Sequence, residues 1–150
     1  MSEVPQTLGR AEILRLIPHQ GSMCLLDDVR AWHADWLLAS TMTHRMTLHP
    51  LASGGRLRAI HLCEYGAQAM AIHGGLLGLA SDTPARAGLL VSLRGVQLHC
   101  DYLETLPAAL EVRAERLLVQ RDSWQYQFQV EHAGHMLASG RAAVIAQDFS

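Results

Sequence analysis

The sequence carries little charge of either sign: 17% of its 150 residues are charged, and 12 Lys+Arg against 14 Asp+Glu leave a net charge of −2. That balance gives no electrostatic reason to expect nucleic acid or an anionic membrane surface as a partner. The N-terminus, MSEVPQTLGRAEIL, lacks a basic start followed by an apolar run, and the longest low-charge stretch, AQAMAIHGGLLGLA, is interrupted by Gln68 and His73. Neither export nor membrane spanning is expected, and a cytoplasmic location is. Cysteine is scarce. Cys24, Cys63 and Cys100 are odd in number, widely spaced and form no CxxC, which fits reduced thiols packed as small apolar side chains. Nine histidines raise the question of a metal, but there is no HExxH, and the nearest pair, His132 and His135, flanks Ala133-Gly134, a hairpin turn that points them into solvent. No metal is expected.

With 49% hydrophobic residues, the chain supports one compact core, and a single domain over residues 1–150 is expected. Arg10 to Leu16 has apolar residues at Ile13, Leu14 and Leu16 and stops before Pro18, the pattern of a short amphipathic helix packed as a lid. Met23–Trp32 and Trp36–Thr43 are apolar-rich runs split by His33-Ala-Asp35, which predicts a strand pair. Leu57 to about Leu77 carries no proline and is apolar on nearly every side, a buried helix that Gly74, Gly75 and Gly78 are available to end. Its Gly66, Ala67, Ala69 and Ala71 let another backbone come close.

The second half reads as strand after strand. Trp124–Val130 alternates apolar and polar residues without exception; Leu110, Val112 and Ala114 begin another alternation, and Met136 to Ala146 a third. In Gly88–Cys100 the apolar face shifts by one residue at Arg94-Gly95, as a glycine bulge produces. Ser81–Pro84 reads as a loop. A short helix, two strands, one long buried helix and about four strands describe an α+β antiparallel sheet wrapped around a single central helix, the hot-dog arrangement. Its open strand edges predict a homodimer, a second copy continuing the sheet.

Two stretches carry a resemblance. EILRLIPHQGSMCLLDDV, Glu12 to Val29, resembles the N-terminal pattern of the 3-hydroxyacyl-acyl-carrier-protein dehydratases, and Glu64-Tyr-Gly-Ala-Gln68 resembles the E-x-x-AQ at the start of their central helix. EYGAQAMAIHGGL and GLLVSLRGVQLHCDYL are similar to a divergent branch of aryl-polyene and related pigment pathways. The resemblance implies a hot-dog dimer acting on a 3-hydroxyacyl thioester, carried on the phosphopantetheine of an acyl carrier protein or of CoA, with no other cofactor. It also implies a site shared between subunits: a loop histidine as base, the helix glutamate as acid and backbone N–H groups facing the enolate oxygen.

On that resemblance Glu64 is the acid. Its neighbours Leu62, Cys63 and Ala67 suggest a desolvated carboxyl group, and Gln68, one turn on, is expected to orient it. The family's loop histidine stands fourteen residues before the glutamate, the position of Pro50 here, so His49, one residue early, is the candidate base. The loop that follows it lacks the family's HFPG wording. His61, three residues before Glu64, is the rival base; His19 is assigned a structural hydrogen bond and His73 a packing role. Gly54 and Gly55, before the helix, are candidate amide donors to the acyl oxygen; Ser92 stands where the family has a strand glycine. Leu89, Val91, Met70 and Met23 are candidate lining for the acyl chain. Two other functions remain open: an acyl thioesterase, and a non-catalytic acyl-binding subunit or heterodimer partner of a related hot-dog protein.

Overall fold

A computed structural model describes residues 6–81 and 88–146. Helix α1, Arg10–Leu16, begins where Glu12 accepts the Gly9 N–H at 2.8 Å. Strands β1, Asp28–Trp32, and β2, Trp36–Thr41, form a hairpin closed by His33 N–H donating to the Trp36 carbonyl. Helix α2, Leu62–Ala80, follows; then come β3, Gly88–Leu98, β4, Leu110–Val119, β5, Ser123–His132, and β6, His135–Ala146. The six strands make one antiparallel sheet in the order β1-β2-β4-β5-β6-β3, and α2 packs across β2, β4 and β5.

Alternation explains the layering. Tyr126, Phe128 and Val130 on β5, and Leu110, Val112 and Ala114 on β4, are buried and face α2 as strand periodicity requires. Their partners across the core are Leu62, Tyr65, Ala69, Ile72 and Leu76. Gly66 lets α2 lie close on the sheet: a Cβ there would lie 2.6 Å from Phe128 Cγ. The bulge expected at Arg94-Gly95 is present, with Gly95 at φ +59 and the β3–β6 register shifting between Arg94 and Gln97. The Ala133-Gly134 turn joins β5 to β6, both residues having positive φ. His135 is exposed beside it, but His132 is half-buried and its Nε2 accepts the Ala108 N–H at 3.0 Å.

Four expectations need correction. Met23–Asp27 is not strand. Gly21–Met23 is a 3-10 turn, and the Leu25 backbone is bound by side chains instead of a neighbouring strand. The central helix starts at Leu62 instead of Leu57, because the backbone of 57–59 bonds across to the 101–103 segment (Leu103 N–H to Leu57, Ala59 N–H to Asp101). It also runs through its glycines to Ala80. Gly75 gives room for α1 instead, since a Cβ there would meet Leu16 at 3.4 Å. Cys24 is buried, whereas Cys63 and Cys100 are only half-buried. Asp82 to Pro84 of the expected loop lie outside the described residues. Among those described, no helix is long and apolar enough to cross a membrane.

Candidate active site

Two polar clusters flank the first turns of α2. The first is built on Glu64 and Gln68, one turn apart and so on one face. Gln68 is fully buried and uses both ends of its amide: Oε1 accepts the Leu25 N–H at 2.8 Å, while Nε2 donates to the Met23 carbonyl at 2.8 Å and to Glu64 Oε1 at 3.1 Å. The same Glu64 oxygen meets His19 Nε2 at 3.2 Å. Oε2 has no hydrogen-bond partner among the described residues. The glutamate side chain is 35% exposed in the single chain, so its desolvation is partial, less than its neighbours in sequence suggested.

The second cluster lies deeper. His49 is 5% exposed and Tyr65 is wholly buried; His49 Nε2 and the Tyr65 hydroxyl are 3.0 Å apart. His49 Nδ1 accepts the Leu51 N–H at 3.0 Å. A neutral imidazole that accepts at Nδ1 carries its hydrogen on Nε2, so the ring donates to Tyr65. The phenol then donates to Thr43 Oγ1 at 2.8 Å, and Thr43 donates to the Leu25 carbonyl at 2.6 Å. Burial lowers the His49 pKa, assisted by His61 and His44, and keeps the ring neutral. Burial likewise pushes the Tyr65 phenol up to about 12, against the opposing Thr43 hydrogen bond, so it remains a donor near neutral pH.

The remaining candidates are dispersed. His61 occupies the N-cap position of α2 and, although within electrostatic reach of His49, makes no hydrogen bond to Glu64. Gly54 and Gly55, at φ +59 and +76, are the centre of a tight exposed turn closed by paired Ser53–Arg56 bonds; Arg58–His61, not they, lead into α2. Ser92 is exposed on β3, beside a register irregularity. Met70 is buried and Met23 is 37% exposed, while the Leu89 and Val91 side chains lie outside the described ones. His73 is a satisfied core residue, with Tyr126 and the His33 carbonyl each 2.8 Å from its nitrogens. Sequence reasoning missed Tyr65 and Thr43, and assigned His19 no contact with the glutamate. Tyr65 stands inside the quoted EYGAQ, but nothing in its spacing shows what it bonds.

An antiparallel sheet wrapped around one long helix, with a carboxylate at the start of that helix, defines a hot-dog protein. Within that class the chain belongs to the ApeP-like family, described as ApeP dehydratase, which matches residues 11–150. Among solved structures it is similar to the dehydratase heterocomplex ApeI:P from Xenorhabdus doucetiae, with TM-score 0.81, 21% identity and 91% of each chain covered. A hypothetical thioesterase with coenzyme A from Streptococcus pneumoniae follows the same fold at TM-score 0.60 and 11% identity, covering 79% of this chain and 84% of that one. A mutant of the phenylacetic acid degradation protein PaaI from Thermus thermophilus does so at TM-score 0.55 and 18% identity, covering 79% and 91%. No curated protein matches the sequence.

Proposed function

We propose that this chain is one subunit of a two-subunit hot-dog dehydratase that removes water from a 3-hydroxyacyl thioester, with Glu64 as the acid. The thioester is carried on the phosphopantetheine of an acyl carrier protein or of CoA, and no other cofactor takes part. A base removes the proton beside the thioester carbonyl; the C–H electron pair becomes the new double bond as the C–O bond breaks. Glu64 protonates the departing hydroxyl, which leaves as water, and a trans-2-enoyl thioester remains. The observation that carries this reading is the asymmetry of the carboxyl group. Oε1 accepts from Gln68 and lies 3.2 Å from His19 Nε2, so a proton has its place on Oε2, the oxygen left open.

The base is an imidazole from the other subunit. In this chain His49 has both nitrogens engaged, Nδ1 by Leu51 and Nε2 by Tyr65, and it holds no free lone pair for a substrate proton. A second copy of the same chain would bring the same engaged ring. That favours a different hot-dog chain as partner, in keeping with the family membership and with the two-chain assembly to which the fold is similar. The amide donors for the enolate oxygen come from the loop before α2, since the Leu62 N–H that opens the helix is engaged by the Ala59 and Ile60 carbonyls.

The test is to supply 3-hydroxyacyl thioesters of acyl carrier protein and of CoA to the chain alone and to its complex with a second hot-dog subunit. Enoyl absorbance and free thiol are followed together. Enoyl product from the complex, abolished by Glu64→Gln, supports the reading. Free thiol without enoyl product would make the protein a thioesterase, and full turnover by Glu64→Gln would remove the acid from the scheme.

A further inference from the structure

His19 stands in the first sequence motif, far from α2 in the chain, yet its Nε2 lies 3.2 Å from Glu64 Oε1. Its other nitrogen, Nδ1, is buried with no hydrogen-bond partner among the described residues. Among those residues the ring therefore spends its one polar contact on the carboxylate of Glu64. The segment that carries it is tied down on both sides. Gln20 Nε2 donates to the Leu14 and Ile17 carbonyls at 2.7 and 3.2 Å, anchoring the residue after His19 to the end of α1. Arg10 reaches the Gly21 carbonyl at 2.8 Å and Asp27 at 3.5 Å. Gln68 then binds Met23 and Leu25 of the same segment while also touching Glu64. The imidazole and the carboxylate are thus referred to one another by a closed set of bonds that runs from α1 through the segment to α2.

We propose that His19 is a positioning residue for Glu64: its ring, with Nε2 in 3.2 Å contact with Oε1, holds that oxygen and leaves Oε2 as the oxygen that carries the proton to the substrate. The inference rests on the dehydratase reading above. Without His19, Oε1 keeps only the Gln68 contact, the carboxyl group turns about its last torsion, and the fraction of molecules with the proton aimed at the leaving hydroxyl falls. Because the contact acts on the acid, the loss is expected in kcat and not in KM. Misplacement of a reacting group by about 1 Å costs on the order of a hundredfold, and a loss in kcat of about ten- to a hundredfold is expected for His19→Ala.

The experiment measures kcat, KM and Tm for the complex carrying His19→Ala, His19→Gln or Glu64→Gln, with a 3-hydroxyacyl carrier-protein thioester. The glutamine amide places an N–H donor near the position of Nε2 but cannot titrate. The proposal expects His19→Ala to lose kcat at unchanged KM, and His19→Gln to recover most of that loss. A kcat for His19→Ala within about twofold of the parent, or a His19→Gln variant as slow as the alanine, overturns it. If the alanine variant does not fold, the decision passes to His19→Gln against His19→Leu, with slow turnover expected only from the leucine; equal rates overturn the proposal. A parent complex without enoyl product, or an active Glu64→Gln, refutes the dehydratase reading itself. An inactive Glu64→Gln beside a fully active His19→Ala refutes only the role given to His19.

Discussion

Gln68 takes the backbone N–H of Leu25 at 2.8 Å, and the carbonyl of the same Leu25 takes the hydroxyl of Thr43 at 2.6 Å. One peptide residue therefore joins the Glu64–Gln68–His19 cluster to the His49–Tyr65–Thr43 cluster. The two sequence motifs, so far apart in the chain, meet there. Because Leu25 is fully buried, its N–H has no water to turn to when Gln68 is removed. A Gln68→Met variant, close in length and apolar, is expected to unfold at a lower denaturant concentration, by about 1–3 kcal/mol for the orphaned donor. An unchanged midpoint and slope would show that Leu25 finds another acceptor.

The pH dependence of stability follows from the histidines. His44, His49 and His73 all have pKa values lowered from the ordinary 6.5, in each case chiefly by burial. The folded state thus binds their protons less readily than the unfolded chain does. Stability from these groups is fully present above about 6.5 and is lost as pH falls through 6.5 toward the depressed folded values. Tm is expected to decline between pH 7.5 and 5, and His49→Gln, which cannot be protonated, is expected to flatten part of the decline while lowering Tm at pH 7.5. A Tm that rises on acidification has the wrong sign for this account.

Gly66 illustrates a conflict between local preference and packing. Helix propensity alone favours Ala over Gly by about 1 kcal/mol. Yet an added Cβ would lie 2.6 Å from Phe128 Cγ, 2.7 Å from Cδ2 and 3.0 Å from Cβ, contacts near the root of the side chain that a ring rotation cannot relieve. Overpacking of this kind costs about 1–3 kcal/mol, so Gly66→Ala is expected to be destabilising. Combining it with Phe128→Ala, which removes Cγ and Cδ2, should return part of the loss relative to the sum of the single changes. Strict additivity in chemical denaturation would mean that α2 and β5 stand further apart.

How much of this was legible beforehand depended on whether the physics was local. The alternation of Trp124–Val130, the face shift at Arg94-Gly95 and the Ala133-Gly134 turn are properties of neighbouring residues, and each appears where the pattern placed it. The helix bounds were misread because the partners of Leu57 and Ala59 lie at 101–103, more than forty residues away. Met23–Asp27 was misread for a similar reason: an apolar run looks like a strand until Gln68 and Thr43 take its backbone. In the site, Glu64 and Gln68 were readable as an i, i+4 pair. The engagement of His49 by Tyr65 was not, since it depends on how far the loop folds inward, which no spacing rule specifies.

The sheet ends on two edges, β1 and β3, and the β3 edge carries partly exposed leucines: Leu90 at 41%, Leu93 at 37% and Leu98 at 38%. An edge that offers unpaired backbone groups beside apolar side chains invites another strand unless charge or proline blocks it. In the two-subunit reading that strand belongs to the partner hot-dog chain, and its docking brings an imidazole to Glu64. Leu93→Glu places a charge on this edge and, the side chain being partly exposed already, is expected to leave the single chain folded. It is expected to weaken association by about tenfold or more in sedimentation, since burying an unpaired carboxylate costs several kcal/mol, and to reduce turnover in proportion to the complex lost. Leu118→Glu supplies the comparison, because Leu118 is similarly exposed at 45% but lies on β4, an interior strand. If Leu118→Glu disrupts the complex and Leu93→Glu does not, the subunits meet somewhere other than β3, and the route by which a second imidazole reaches Glu64 must be sought there.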